Sequence, residues 1–240
     1  MTRLRWLLGF VLLGLLGGTP PALAADELVG SARTGGGETV PYVLTSKPGA
    51  PSVAVILMPG GRGILNPRQE GGRIVMETSG NFLIRSRELF ADGSIVAAST
   101  DATSTPDRIL AIVADLQKRF GPLAVYVIGT SRSTEATMAL ARPLDGRVAG
   151  FVHSSSMNAI ASFDPRGLKS RHLVVLHQRD ACRVTKPSNG VASHNSFGTE
   201  LIQVNGGTST GDDCGAAAYH GYNGIEADTV GRIRQWIAGR

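Results

Sequence analysis

Continuous apolar runs, separated by segments with helical spacing, constrain the fold of this chain more than any other feature. Such runs predict strands that are covered on both faces, as parallel strands are. They occur at residues 53–58, 95–98, 124–128, 148–152 and 173–176, and 201–204 completes the set. Two earlier segments, 27–30 and 39–44, flank the turn Gly35–Gly37 and predict antiparallel strands at a sheet edge.

Helical segments lie between several of these strands. The clearest starts at Thr105, with Pro106 in the first helical position, and runs to Phe120 before Gly121 ends it. Further helices are predicted at 81–91, 134–142 and 224–238. Because strands and helices alternate, the sequence predicts a three-layer α/β/α sandwich with a mostly parallel sheet, in a single domain spanning residues 25–240.

The first 24 residues have the features of an export signal. Arg3 and Arg5 precede an apolar core from Trp6 to Leu16, and 22–24 (Ala-Leu-Ala) fits an A-x-A cleavage site. We therefore expect the mature chain to begin at Ala25 and to act in the periplasm or outside the cell. The apolar core is too short to span a membrane, and no later stretch reaches about 18 apolar residues.

Composition and charge restrict the partners. Without Arg3 and Arg5, 22 Lys and Arg remain against 19 Asp and Glu, and these cations are scattered rather than clustered among aromatic residues. Nucleic acid is therefore not expected as a partner. The segment Pro59–Gly63 lacks the Lys-Ser/Thr of a nucleotide-binding loop, and no ligand cluster has metal spacing, so neither a cofactor nor a metal is predicted.

Cys182 and Cys214 are the only two cysteines. In an oxidising compartment an isolated pair is most simply a disulfide. A metal-binding pair and two free thiols are the alternatives, although neither cysteine has neighbouring ligands at zinc spacing. Closing a loop of this length stabilises a fold by about 3–4 kcal/mol.

The strand at 124–128 leads directly into Gly129-Thr130-Ser131, followed by helix-compatible sequence. This pattern predicts that Ser131 lies on a tight strand-to-helix turn with its hydroxyl exposed. Small residues flank it, since Gly129 and Ser133 lie two positions to either side, and the motif is therefore Gly-x-Ser-x-Ser. The alternative is an ordinary turn in which Ser131 or Ser133 caps the helix.

Asp180 and His220 each follow a later strand, so the order along the chain is Ser131, Asp180, His220. Since chemistry in parallel sheets collects at the carboxyl ends of strands, we expect the three to meet. Asp164 is the rival acid and His177 the rival base, the latter interpreted as a support for its loop. His153, His172 and His194 are interpreted as structural histidines that form hydrogen bonds.

This order of nucleophile, acid and base resembles that of the α/β-hydrolase superfamily. The stretches 180–182 and 220–224 also resemble those of small exported bacterial α/β-hydrolases. The resemblance implies the α/β-hydrolase fold over nearly all of the mature chain and a serine hydrolase activity on carboxylic esters. Ser131 would be the nucleophile and His220 the general base, while Asp180 would orient the imidazole.

The resemblance also implies an oxyanion hole made of two backbone amides. One belongs to Arg132, directly after the nucleophile, and the other to Gly61 in the loop after the first buried strand, with Arg62 as second choice. The disulfide would then join the acid loop to the histidine loop, because Cys182 lies two residues after Asp180 and Cys214 lies six before His220.

The segment between Val152 and Leu173 leaves no room for the cap domain that many relatives insert there. We therefore expect an open cleft, roofed by the loops 60–80 and 183–198, that accepts a small-molecule or polymeric ester. Two other functional classes fit the same residues. One is a hydrolase of amides or peptides, or an acyltransferase, with the same triad; the other is a non-catalytic binding protein that keeps the fold.

Overall fold

The computed structural model describes residues 24–239, so the predicted export signal lies, apart from Ala24, outside the described residues. The strands are β1 (Asp26–Arg33), β2 (Thr39–Ser46), β3 (Val53–Met58), β4 (Arg68–Glu70), β5 (Arg73–Val75), β6 (Ile95–Ser99), β7 (Ala124–Thr130), β8 (Gly150–Ser154), β9 (Arg171–His177) and β10 (Glu200–Val204). The helices are α1 (Phe82–Arg85), α2 (Arg87–Phe90), α3 (Pro106–Phe120), α4 (Ser133–Ala141), α5 (Pro187–Phe197) and α6 (Glu226–Ile237), and short 3₁₀ helices span Asn158–Ser162 and Tyr219–Gly221.

Eight of these strands form one sheet in the spatial order β1-β2-β6-β3-β7-β8-β9-β10. The pairs β1·β2 and β2·β6 are antiparallel, whereas all later neighbours run parallel. β3 lies in the middle, hydrogen-bonded to β6 and β7, and five of its six residues are buried. The sheet confirms that the first five apolar runs lie in buried strands and that the first two strands form an antiparallel edge. The run at 201–204 differs, because it lies in the edge strand β10, of which only Val204 is buried.

Helices cover the sheet on two sides. On one side α3 contributes Ile112 and Leu116 to a core that also contains Ile56 of β3. On the other side Trp236 of α6 belongs to a core that contains Leu57 of β3. Since successive residues of β3 point to opposite cores, the domain has three layers, as predicted.

Two predictions about the loops and helices were wrong in detail. The single helix expected at 81–91 is divided in two at Ser86, whose φ of −97° and ψ of 4° end α1, and the break allows Phe82 and Phe90 to pack in the same core. The segment 183–198, expected as a loop, contains α5. Its only buried residues are Gly190 and Ser193, so it lacks the apolar stripe by which helices are recognised.

The loop expected at 60–80 contains the hairpin of β4 and β5, which turns at Gly71 and Gly72. Between β8 and β9 lies only the short 3₁₀ helix 158–162. The described residues therefore include no sizeable cap domain, in agreement with the sequence. No helix within residues 24–239 has the length and the apolar character needed to cross a bilayer.

Two buried histidines form a polar pair next to α4. His153 Nδ1 lies 2.8 Å from the Thr137 hydroxyl, and His153 Nε2 lies 3.2 Å from His172 Nδ1. His172 also stacks on Phe151, and its Nε2 is buried without a hydrogen-bond partner. Burial lowers the pKa of His172 to about 4 and lowers the pKa of His153 well below its usual value. Both rings are therefore neutral at pH 7.

We expect acid to destabilise the fold between about pH 6.5 and pH 4. The unfolded chain protonates His172 at the usual pKa of 6.5, whereas the folded chain does so only at about 4. The free energy of unfolding should thus fall as the pH falls through this window, by up to about 3 kcal/mol. Urea unfolding at a series of pH values measures this slope.

The variant His172→Gln should reduce that slope, because it removes one of the two buried histidines that take up a proton on unfolding. Ile237→Val, in a core on the other side of the sheet, should cost about 1 kcal/mol at every pH and leave the slope unchanged. An unchanged slope in His172→Gln would contradict this account of acid destabilisation.

Candidate active site

Ser131 occupies the turn between the end of β7 and the start of α4, with a backbone φ of +54°. This left-handed conformation is uncommon for a residue other than glycine and persists only where its surroundings hold it. The Ser131 amide donates to the Ser154 carbonyl at 2.9 Å, and the Ser131 carbonyl accepts from the Thr134 amide at 2.9 Å. The sequence therefore builds a strained turn that presents the Ser131 side chain, as the motif predicts.

Close packing around this turn explains two of the glycines. A Cβ on Gly129 would lie 2.7 Å from the Ser133 carbonyl oxygen, which is too close for any side chain. A Cβ on Gly60 would lie 2.9 Å from Ser131 Cβ and from the Thr130 oxygen. The loop after β3 therefore contacts the Ser131 turn directly, and Gly60 permits that contact.

Ser133 stands where the motif usually has its second glycine, and its hydroxyl is fully used. It accepts a hydrogen bond from the Thr130 amide at 2.7 Å. Its proton has two acceptors, the Met58 carbonyl at 2.8 Å and the Thr130 carbonyl at 2.9 Å. The departure from glycine thus adds a buried link between the end of β3 and the end of β7.

Asp180 and His220 come together as the sequence predicts. His220 Nδ1 lies 3.0 Å from Asp180 Oδ2, and both side chains are buried. The other carboxylate oxygen, Oδ1, accepts from the Cys182 amide at 2.9 Å. The histidine loop is held as well, because the Ser155 hydroxyl donates to the His220 carbonyl at 2.7 Å.

Thr185 belongs to this cluster, although no sequence motif pointed to it. Its hydroxyl donates to Asp180 Oδ2 at 3.1 Å and lies 3.1 Å from His220 Nδ1. The Asp180 carboxylate therefore has a donor besides the imidazole on the oxygen that faces His220. The contact depends on the path of the chain after Cys182, which periodicity does not reveal.

Ser131 and His220 line the same narrow cleft, about 50 Å³ in volume, together with Gly61 and Cys214. Within residues 24–239, no hydrogen bond joins the Ser131 hydroxyl to the His220 ring. The structure thus places acid and base in contact and the nucleophile candidate beside them. Such contacts are often long in enzymes without substrate and shorten when the substrate binds.

Gly61 and Arg132, the two residues expected to form the oxyanion hole, line a wider cleft of about 660 Å³ that also contains Ser131. Gly61 has a φ of +62°, and in the described part of the chain neither its amide nor that of Arg132 donates a hydrogen bond to another residue. Two residues whose amides have no acceptor among residues 24–239 therefore border the cleft that contains Ser131. Arg62, the second choice for the hole, lines the same cleft.

The structure confirms the disulfide, since Cys182 and Cys214 are joined with their Cα atoms 4.7 Å apart. Cys214 lines both clefts, so the bridge forms part of the site. Ligand atoms of Asp180, Cys182 and His220 lie within 4.8 Å of one another. Because the Cys182 sulfur is in the disulfide, it is not the thiolate that metal binding requires, and only two ligands remain there.

The rival acid and base are occupied elsewhere. Asp164 forms an ion pair with Arg166, which lowers the pKa of the carboxyl to about 2. His177 Nε2 lies 3.0 Å from the Gly206 carbonyl, its Nδ1 accepts from the Arg179 amide at 3.0 Å, and burial lowers its pKa. Both ring nitrogens of His177 thus support its loop.

Comparison with sequences gives no assignment. No family model matches the chain. No curated protein matches it either.

Many solved structures have a similar fold. The esterase domain of a Rhodothermus marinus protein is 10% identical, with a TM-score of 0.61 over 88% of this chain and 97% of that one. A dienelactone hydrolase from Anabaena variabilis is 12% identical, with a TM-score of 0.61 over 90% and 99% of the two chains. XC6422 from Xanthomonas campestris, described as an α/β serine hydrolase without a lid, is 11% identical, with a TM-score of 0.56 over 89% and 97%.

These identities are too low to transfer an activity, but the coverage extends over nearly the whole of each chain. The mostly parallel eight-stranded sheet and the helices on both of its faces agree with those structures. The chain therefore has the fold of the α/β-hydrolase superfamily.

Proposed function

We propose that this chain is an exported serine hydrolase that cleaves carboxylic esters through an acyl-enzyme intermediate. One observation carries the proposal: a serine in a left-handed strand-to-helix turn lines a cleft with a histidine that is hydrogen-bonded to a buried aspartate. Several structures of similar fold are esterases or hydrolases by name, which supports a hydrolase. The export signal that the sequence predicts at 1–24 supports a periplasmic or secreted location.

The proposed reaction begins with attack of the Ser131 oxygen on the ester carbonyl. His220 takes the hydroxyl proton at Nε2, since its Nδ1 is directed to Asp180. Asp180 holds the imidazole in that tautomer and stabilises its cation. The protonated His220 then gives its proton to the leaving alcohol. Water repeats the sequence on the acyl-enzyme and regenerates Ser131.

The negative oxygen of the tetrahedral intermediate needs donors that are already in position. We assign this role to the amides of Gly61 and Arg132, because both border the Ser131 cleft and neither amide is engaged within residues 24–239. Contact between Gly60 and Ser131 fixes the distance between the two loops.

The wider cleft favours a substrate with an apolar part. Met157, Val184 and Cys214 line it together with Ser131, and no cap domain covers it in the described chain. Its volume of about 660 Å³ is within the range of small-molecule sites. We therefore assign small-molecule esters as the substrate class.

A fluorophosphonate probe tests the nucleophile. Wild-type protein should be labelled and should hydrolyse acyl esters, whereas Ser131→Ala should do neither. Ser104→Ala is the matched control, since Ser104 is an exposed serine on the neighbouring cleft, and it should be labelled like wild type. Folded wild-type protein that resists the probe would favour a non-catalytic binding protein, and faster turnover of peptide anilides than of esters would favour the amide alternative.

Thr185 is expected to act as a positioning residue. Thr185→Val removes the hydroxyl that donates to Asp180, so kcat should fall about tenfold while KM stays unchanged. Thr185→Ser keeps the hydroxyl and should restore most of kcat. Steady-state kinetics on one ester measures kcat and KM for both variants. A purely structural role would instead lower the melting temperature of both variants, and kcat would not fall separately from a change in KM.

Reduction of the disulfide should lower activity before the fold is lost. The bridge joins the Asp180 loop to the His220 loop, and the 32-residue separation corresponds to about 3–4 kcal/mol of stability. Turnover, circular dichroism and free-thiol content are measured along a titration with a thiol reductant. Turnover that is undiminished when both thiols are free would refute the link between the bridge and the acid–base pair.

A further inference from the structure

We infer that the substrate carries an anionic group, such as a carboxylate, held near the scissile ester by Arg62 and Arg132. The inference rests on the proposed ester hydrolase and narrows its substrate class. The two guanidinium groups would bind the anionic group of the substrate, whereas the backbone amides of Gly61 and Arg132 would bind the oxyanion of the intermediate.

The two arginines flank the candidate nucleophile. Arg132 follows Ser131 in the chain, and Arg62 belongs to the loop after β3 that contacts the Ser131 turn through Gly60. Both line the 660 Å³ cleft that contains Ser131. Both also line an adjoining cleft of about 370 Å³, so they form the boundary that the two clefts share.

Neither guanidinium has a partner among residues 24–239. The ion pairs of that region occupy nine other arginines, namely Arg68, Arg85, Arg87, Arg108, Arg119, Arg166, Arg171, Arg232 and Arg234. Arg62 and Arg132 are exposed and form no ion pair there. Two free cations on the rim of a cleft leave it with a positive potential that attracts anions.

The residues that line the Ser131 cleft add no negative charge to oppose the two arginines. Its lining contains Arg62 and Arg132 and no acidic side chain. Glu135 lines only the adjoining cleft. Asp212, two residues before Cys214, accepts from the Cys214 amide at 2.7 Å and, like Asp213, is not among the residues that line the cleft.

Guanidinium chemistry selects the ligand. A planar guanidinium binds a carboxylate or a phosphate through two parallel hydrogen bonds, and a pair of them at one boundary favours a group with several acceptor oxygens. The apolar lining from Met157 and Val184 accommodates the uncharged part of the same molecule. An ester with a short apolar linker between its carbonyl and an anionic end fits both features.

Two matched pairs of esters test the inference. Monoethyl adipate carries a carboxylate on the acyl side and the butanoate ester of glycolic acid carries one on the alcohol side; each is compared with its neutral carboxamide. Wild type should show a kcat/KM at least fivefold higher for the anionic member of one pair. Arg62→Gln and Arg132→Gln should each reduce that preference, and the double variant should abolish it.

Arg142→Gln is the matched control, because Arg142 is an exposed arginine at the far end of α4 that lines neither cleft. It should keep the full preference. Raising the salt concentration from 0.05 to 0.5 M should shrink the wild-type preference, since exposed charges are screened.

Equal kcat/KM values within both pairs, with Ser131 labelled by a fluorophosphonate, would overturn the anionic substrate and leave the ester hydrolase standing. If wild type neither hydrolyses nor is labelled, the hydrolase proposal fails. Binding of the same four compounds to Ser131→Ala, measured by saturation-transfer NMR, then still decides the inference. Equal binding of the anionic and the neutral esters to Ser131→Ala overturns the inference. Binding of the anionic esters to Ser131→Ala that is lost when Arg62→Gln is added to the same protein supports it.

Discussion

The left-handed turn at Ser131 depends on hydrogen bonds to both strands that flank β7. The Ser131 amide donates to Ser154 at the end of β8, and Ser133 is bonded to Met58 at the end of β3. In a parallel sheet these ends lie at one edge, so the register of three strands fixes the turn. A strained backbone persists when it is held from several directions, and the neighbouring strands supply that here.

No strand holds the histidine loop in place, because only coil and the 3₁₀ helix Tyr219–Gly221 connect β10 to α6. Side chains hold it instead. Arg85 donates to the Gly221 carbonyl at 2.6 Å and pairs with Glu226 at the start of α6. Tyr222, buried with φ of +56°, accepts from the Ser155 amide and donates to the Val175 carbonyl, both at 2.9 Å. Together with the disulfide, these contacts attach the loop to the sheet.

Sequence reasoning found what periodicity and strand order determine. The apolar runs gave the strands of the large sheet, and the order of serine, aspartate and histidine after those strands led to Asp180 and His220, which do meet. It missed α5, whose buried face is Gly190 and Ser193, although Pro187 and the left-handed Gly198 mark its ends. It also missed Thr185, because a contact between two loops follows from their three-dimensional paths and leaves no spacing to recognise.

Burial divides the site into two electrostatic environments. Asp180 and His220 have side chains only 1% and 7% exposed, so their mutual attraction is poorly screened by solvent. A buried carboxylate is costly unless its oxygens are satisfied, and Asp180 has the Cys182 amide, the Thr185 hydroxyl and the His220 ring as donors. Arg62 and Arg132, by contrast, lie in solvent, where their attraction for an anion is weaker and depends on salt. The interior pair is thus suited to stabilising a charge that forms during reaction, and the arginines at the rim to choosing which molecule enters.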